Sequence, residues 1–398
     1  MSDTAEPKSA ARAGARLGTR FLVFPQPPFV PGYERPEVVW LSVAPGEVRA
    51  GPQDRRMYVA SPTRAKRPYR YPDLPPLRGP RLPPVEPGPD GHFDHLDPAS
   101  EDFLAAHVYA CVRRVLDVCE SWLGRPVPWF FEPTYDRLEI VPVIPGWENA
   151  HSGFGFLEMG ETAETGRPFP HALNFDAIAH ETGHLILMGI AGTPRGKAGP
   201  DFFAYHEAAA DMVALLGLLQ FDTAMDRILR RTRGNLLVHN ELDRFAEISD
   251  ERRIRSFSNS LKLSDVGSEV HDRSKPFAGA LFDALVEIHQ TLAYERGLSG
   301  IDPRAFRDLR RELSDADIRG ALGGDSGDYA LRHFGLKGAL AEARDVIGEA
   351  LLGSWPRLDP DTLDFATAAE AFLEAASRGR ARTYVAQIED CFAWRQII

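Results

Sequence analysis

The sequence predicts an α+β protein, with short strands in its first half and mainly helices in its second half. Strand-like apolar runs separated by proline and glycine lie between Phe21 and Gly160, and stretches rich in alanine and leucine follow from Asp176 onward. With 398 residues, 43% of them hydrophobic, the chain is long enough to bury a large core in two or three domains. We expect three regions, residues 1–98, 99–190 and 191–398.

The first region, residues 1–98, is predicted to be a proline-rich extension with short strands. Its strand-like runs are Phe21–Phe24, Val38–Val43 and Met57–Ala60. From Pro62 to Gly91 proline is so frequent that a helix is excluded, because proline lacks the backbone donor and clashes with the preceding turn. This segment is either a linker or strap on the surface, or a segment that covers a functional site or binds a partner. The sequence leaves both alternatives open.

The second region, residues 99–190, is predicted to be an α/β lobe. Ala99–Leu123 has apolar residues at helical spacing and predicts a long amphipathic helix. The stretch 127–160 is typical of a sheet, and its strand-like runs are Trp129–Phe131 and Leu138–Ile144.

One motif in this region carries chemistry. Asp176–Leu187 predicts a helix, with Asp176 as its cap or in its first turn. His180 and His184 are four residues apart, so their side chains project from one face and can hold one zinc ion. Glu181 then lies beside the metal, where it can take a proton from a water that the metal activates. The alternative is a pair of core-facing histidines.

The third region, residues 191–398, is predicted to be a mainly helical lobe. A glycine- and proline-rich connection from Gly189 to Pro200 should be an exposed loop. The predicted helices include residues 203–221, residues 222–232 and a late helix that begins near Asp364.

The helix after this loop offers a third metal ligand. Hydrolysis at a zinc site needs three protein ligands and one open position. Glu207 can complete the set, and Asp211, one turn later, is placed to accept the outer N–H of a ligating histidine. His206 is a rival ligand, but it is displaced by about 100° from Glu207 around the helix, so both cannot face the metal equally well. The alternative for the two carboxylates is a solvated acidic face.

His180-Glu-Thr-Gly-His184 followed by Glu207-Ala-Ala-Ala-Asp211 resembles the thermolysin family of zinc metallopeptidases, the HExxH…ExxxD gluzincins. The resemblance covers about residues 99–398 and is absent from residues 1–98. It implies a two-lobed zincin fold, in which the active-site helix lies between a small lobe that contains the β-sheet and a mainly α-helical C-terminal lobe. It also implies a zinc-dependent metalloendopeptidase with one zinc ion, a peptide or protein substrate, and Glu181 as general base.

The same resemblance implies further site residues. Asn149 and Ala150 match an edge-strand pair that binds substrate backbone, although His151 and Ser152 replace the aromatic pair that follows it in the family. Arg255 matches an arginine that hydrogen-bonds a substrate carbonyl. His271 matches a histidine that stabilises the oxyanion; Asp265 or Glu269 would orient its ring.

Two other functions stay open. Gly146-Trp-Glu148-Asn149 is an incomplete match to the Gly-x-Met-Glu-Asn signature of zinc aminopeptidases, in which the glutamate binds the free amine. The other alternative is a zinc-stabilised binding protein without peptidase activity. Calcium is not predicted, because no cluster of carboxylates follows Glu207.

Composition excludes several other classes. With a net charge of −11, nucleic acid is not expected as a partner. No membrane span is expected either, because no apolar run reaches the length of about 20 residues that a span needs. Three cysteines do not suggest a disulfide framework. The first residues lack the apolar core of a secretory signal, so a cytoplasmic protein is expected, with signal-independent export as the alternative. Oligomeric state, cleavage preference and natural substrate are not encoded in any recognisable pattern.

Overall fold

A computed structural model describes residues 18–63, 66–162, 168–237, 242, 244–247, 253–257, 259–300, 302–303 and 329–398, with backbone alone for 244–247 and 253–256. It combines helices with small sheets, which confirms the predicted mixture. The chain forms two compact units. Unit 1 holds the described residues up to Val118 and those from Trp129 to Leu185. Unit 2 holds Cys119–Pro128 and the described residues from Ile186 onward.

Unit 1 is built on small sheets. Strands β1 (Thr19–Val23) and β2 (Glu37–Leu41) pair antiparallel. A four-stranded sheet contains β3 (Met57–Val59), β4 (Leu138–Val141), β5 (Ala150–Gly153) and β6 (Phe156–Met159) in the order β3-β4-β6-β5. Its first three strands run parallel, and β5 lies antiparallel to β6 at one edge. Strands β7 (Glu161–Thr162) and β8 (Phe169–Pro170) form a short pair.

Trp129–Phe131 is not a strand, which corrects the sequence prediction. These residues lie in a turn, where the rings of Trp129 and Phe131 are buried and stack with centroids 5.5 Å apart. Pro128 and Pro133 flank the turn, and neither can donate to a strand ladder. The apolar run therefore reflects an aromatic cluster, because burial of rings does not require a strand.

Two helices that begin in unit 1 have side-chain caps at their first turns. Helix α1 (Glu101–Leu123) follows Ser100, whose Oγ accepts a hydrogen bond from the Phe103 amide at 3.1 Å. Helix α2 (Phe175–Ala191) contains the histidine motif, and Asn174 caps it by accepting from the Ala177 amide at 3.3 Å. Asp176 is therefore a first-turn residue, and its carboxylate accepts from Gln26 Nε2 at 2.9 Å.

The proline-rich segment lies as a strap on the four-stranded sheet. Two carboxylates with fully buried side chains, Glu139 and Glu158, hold it. Glu158 binds the Lys66 ammonium and accepts from the Tyr69 amide at 2.7 Å. Glu139 accepts from the Leu77 amide at 2.9 Å and from the Tyr69 hydroxyl. Burial and the hydrogen bond to Glu139 raise the pKa of Tyr69 well above its usual value, so its hydroxyl remains a donor.

Unit 2 is mainly helical. Its helices are α3 (Pro200–Leu218), α4 (Asp222–Thr232), α5 (Val270–Glu295), α6 (Tyr329–Ser354), α7 (Phe365–Arg378) and α8 (Val385–Trp394), and its strands β9 (Arg244–Glu247) and β10 (Arg253–Ser256) pair antiparallel. Phe277 on α5 is fully buried among the rings of Tyr205, Phe365 and Phe392, at centroid distances of 5.2–5.3 Å.

Within the described residues no single helix is long and apolar enough to cross a membrane. Helices α3 and α4 reach that length and apolarity only when they are taken together, across a 91° bend.

The buried ring of His107 on α1 contacts the backbone of two other segments of unit 1, at Phe24 and at Ala172. Its Nδ1 lies 2.7 Å from the Ala172 carbonyl, and its Nε2 accepts from the Phe24 amide at 3.0 Å. This pair of contacts requires the neutral ring that carries its proton on Nδ1. Burial lowers the pKa of His107 to about 4, because the apolar surroundings disfavour the charged ring.

Acidification should therefore destabilise the protein through His107. Its pKa is lower in the folded state than in the unfolded state, so its contribution is complete above pH 6.5 and is lost as the pH falls toward 4. From the shift, the loss is about 3 kcal/mol. We expect the stability difference between wild type and His107→Gln, measured by urea unfolding of metal-free protein, to shrink by about that amount from pH 7 to pH 4. A difference that stays constant with pH would contradict this account.

Candidate metal centre

Helix α2 brings the two predicted histidines together. Their Nε2 atoms lie 3.1 Å apart, and the ring centroids are 4.6 Å apart. His180 is buried and His184 is half-buried. Two nitrogens bound to one tetrahedral zinc lie roughly 3.3 Å apart, because each Zn–N bond is about 2.0–2.1 Å long. The spacing of the two rings therefore fits a shared metal ion.

Glu207 on α3 joins this pair. His180, His184 and Glu207 each offer one ligand atom, and these atoms all lie within 4.8 Å of one another. Two imidazoles and one carboxylate are the donor set of a known class of catalytic zinc sites. Among the described residues, these are the His, Cys, Asp or Glu side chains that form a group of three with ligand atoms close enough to share one metal ion.

The other candidates on α3 have different surroundings. His206 is buried, and its ring centroid lies 4.4 Å from that of Phe202. It does not belong to the metal group found among the described residues. Asp211 is 2% exposed, one helical turn after Glu207. A carboxylate buried to this degree needs a hydrogen-bond or charge partner, and its contact with a ligating histidine stays a prediction.

His271 lies beside Glu207, the candidate carboxylate ligand. It is in the first turn of α5, and its Nδ1 is 3.1 Å from Glu207 Oε2. The side chain is 59% exposed, so solvent and a substrate can reach the ring. Asp265 and Glu269, the carboxylates proposed to orient it, accept from the backbone amides of Lys262 and Asp272 at 2.8 and 2.7 Å. Glu207 is a carboxylate in contact with the ring.

Glu181 is held by a residue that the sequence reasoning did not single out. Ser152 Oγ lies 2.9 Å from Glu181 Oε2 and 3.0 Å from the Glu181 carbonyl oxygen. Ser152 is on β5, two residues after Ala150, so both side chains lie on the same face of the strand. The signal in the sequence was the replacement of the family's aromatic pair by His151 and Ser152.

Asn149 precedes the edge strand and is exposed. Its Oδ1 accepts from the Ala150 amide at 2.9 Å, and its backbone carbonyl accepts from the Gly160 amide at 2.8 Å. Glu148, the residue on which the aminopeptidase alternative depends, accepts from the Thr162 hydroxyl at 2.8 Å. Substrate contacts of Asn149 and Ala150 stay predictions.

Arg255 lies in β10, where its backbone is paired with that of Phe245. Its side chain is outside the described part of the structure, and so is its predicted contact with substrate.

Comparison with known proteins adds little to this geometry. No protein-family model matches the chain. No curated protein matches it either. Among solved structures the chain is similar to the precursor of protealysin, a metalloproteinase from Serratia proteamaculans. The two sequences are 11% identical, the match covers 85% of this chain and 86% of that chain, and the TM-score is 0.46. A likeness this low does not assign a fold or a function, so the chemistry is argued from the residues themselves.

The described side chains supply three chemical capacities. One is a set of nitrogen and oxygen donors for a metal ion. The second is the carboxylate of Glu181, which directly follows His180 in sequence and is held by a hydroxyl. The third is the accessible imidazole of His271, which contacts Glu207. A metal ion, a proton acceptor and a hydrogen-bond donor are groups that can each accelerate hydrolysis of an amide.

Proposed function

We propose that the protein is a zinc-dependent metalloendopeptidase. The observation that carries the proposal is the convergence of His180, His184 and Glu207, with their ligand atoms within 4.8 Å of one another. Two of these residues come from a His-Glu-Thr-Gly-His sequence, which also provides a carboxylate one residue after the first ligand. The donor set and the short distance between the two imidazole nitrogens fit zinc.

When bound, zinc would polarise the scissile carbonyl and make the attacking water more acidic. Glu181 removes a proton from that water and delivers it to the leaving amine. The carboxylate is suited to both tasks, because it accepts a proton in one step and donates it in the next. Asp211 accepts the outer N–H of a ligating histidine and so holds its tautomer.

His271 acts on the carbonyl oxygen. Negative charge develops there as the water adds, and a fixed donor stabilises it. Since Nδ1 of His271 faces Glu207, Nε2 is the nitrogen that donates to the oxyanion. The ring must carry both protons to donate to Glu207 and to the oxyanion at once.

Three further residues align the peptide substrate. Asn149 and Ala150 pair with its backbone at the edge of the sheet, and Arg255 hydrogen-bonds one of its carbonyls.

Digestion of unstructured peptides tests the proposal. We expect zinc-loaded protein to cut internal bonds, to cut N-acetylated and free peptides alike, and to lose activity with a chelator and regain it with zinc, as read by mass spectrometry and metal analysis. Acetylation should make no difference, because an endopeptidase does not need Glu148 to bind a free N-terminal amine. Cleavage restricted to free N-termini would support the aminopeptidase instead. Full zinc loading without cleavage of any peptide would indicate a binding protein.

A further inference from the structure

Within the described part of unit 1, the side chain of Ser152 hydrogen-bonds the carboxylate of Glu181. Its Oγ is 2.9 Å from Oε2, within the range of a hydroxyl–carboxylate hydrogen bond. The same Oγ is 3.0 Å from the Glu181 carbonyl oxygen. A serine hydroxyl has one hydrogen, so it either donates to one of these oxygens or shares the hydrogen between them.

The strand that carries Ser152 is held by its backbone pairing with β6 and by a side-chain contact on the face opposite Ser152. Ser152 is paired with Leu157 of β6, and a short turn at Gly155 joins the two strands. His151 points to the opposite face, where its Nε2 lies 2.6 Å from Glu158 Oε2. Glu158 also binds the Lys66 ammonium of the strap. These contacts fix the backbone of Ser152 relative to β6, and the rotamer that Ser152 adopts places its Oγ against Glu181.

We propose that Ser152 is a positioning residue for Glu181. This inference rests on the proposed function, in which Glu181 is the general base. The hydroxyl holds Oε2 by a charge-assisted hydrogen bond and so selects one side-chain rotamer of Glu181. Oε1 is then the oxygen presented to the attacking water. A carboxylate left to sample other rotamers would spend less time in the geometry that proton transfer needs.

Activity measurements give the first test. We expect Ser152→Ala to lower kcat by roughly 10- to 100-fold with unchanged zinc content and little change in KM, since misplacement of a catalytic group acts on the chemical step. Ser152→Thr keeps the hydroxyl and should recover most of the activity. Ser377→Ala removes an exposed hydroxyl that donates to the Glu374 carbonyl on α7, and it serves as the matched control. Wild-type kcat in Ser152→Ala would overturn the proposal.

Unfolding of the metal-free protein gives a second test that does not depend on catalysis. In a double-mutant cycle, Ser152→Ala should lower the folding equilibrium constant roughly tenfold in the parent and less than about twofold in Glu181→Ala, because the carboxylate is the partner. An equal effect in both backgrounds would assign the hydroxyl to the Glu181 carbonyl oxygen and overturn the proposal. Ser152→Cys, a weaker donor of similar size, replaces Ser152→Ala if the latter does not fold.

The two tests separate this inference from the function on which it rests. If the zinc-loaded wild type cuts no peptide, the endopeptidase proposal fails, and the unfolding cycle still decides whether Ser152 holds the Glu181 carboxylate. If the wild type is active and both tests show no coupling, the function stands and the role of Ser152 is rejected.

Discussion

Glu181→Gln is expected to lower kcat by about 10³- to 10⁴-fold, at the upper end of what removal of a general acid–base group costs. The carboxamide has nearly the size of the carboxylate, and its oxygen can still accept the hydrogen bond from Ser152. It cannot accept a proton from water at neutral pH, so the step that it would serve is lost. The metal ligands are untouched, and zinc content should stay at the wild-type level.

The measurement combines single-turnover peptide hydrolysis with metal analysis on the same protein sample. Glu389→Gln, a change of the same kind at an exposed position on α8, is the matched control and should leave kcat unchanged. Full turnover in Glu181→Gln would reject the mechanism. Loss of activity together with loss of zinc would instead assign the effect to metal binding, and the role of Glu181 as base would not follow from it.

Arg395→Leu should destabilise the protein by about 3–5 kcal/mol, the range for removal of one partner of a buried ion pair. The guanidinium is fully buried and donates to Asp283 Oδ2 at 2.7 Å and to Asn259 Oδ1 at 2.8 Å. It also donates to the backbone carbonyls of Asn259 and Leu261 at 2.7 and 2.9 Å. Leucine would leave the carboxylate and both carbonyls without these donors.

The backbone of α5 is adapted to this guanidinium. A Cβ added at Gly279 would lie 2.6 Å from Arg395 Cζ, so only glycine allows the flat group to approach the helix this closely. Lysine at position 395 should therefore not restore stability, since one ammonium cannot reach acceptors on several sides. Adding Asp283→Leu to Arg395→Leu should recover part of the loss, because the carboxylate that has lost its guanidinium partner is then removed as well.

Urea unfolding of the metal-free protein measures these effects. Arg382→Leu, which changes an exposed arginine near the same end of the chain, is the control and should shift stability by less than about 0.5 kcal/mol. An Arg395→Leu variant as stable as this control would show that the buried ion pair makes no net contribution to stability.

Helices were the most predictable part of the fold. The prediction of residues 222–232 matches α4 (Asp222–Thr232), and α1 begins only two residues after the predicted Ala99. The predicted 203–221 is displaced from α3 (Pro200–Leu218), because Pro200 supplies the first turn, where its missing N–H costs nothing. The false strand at Trp129–Phe131 shows the limit of a short apolar run, whose burial is compatible with either a strand or a turn.

The sequence alone determined the parts of the site that depend on one helix. His180 and His184 face the same way, and Glu181 follows His180, because local backbone hydrogen bonds set the geometry of four-residue spacing. Only the tertiary structure decided that Glu207 joins the two histidines, that His271 contacts Glu207 and that Ser152 meets Glu181. These contacts join residues from different elements. No spacing in the chain records how separate elements pack.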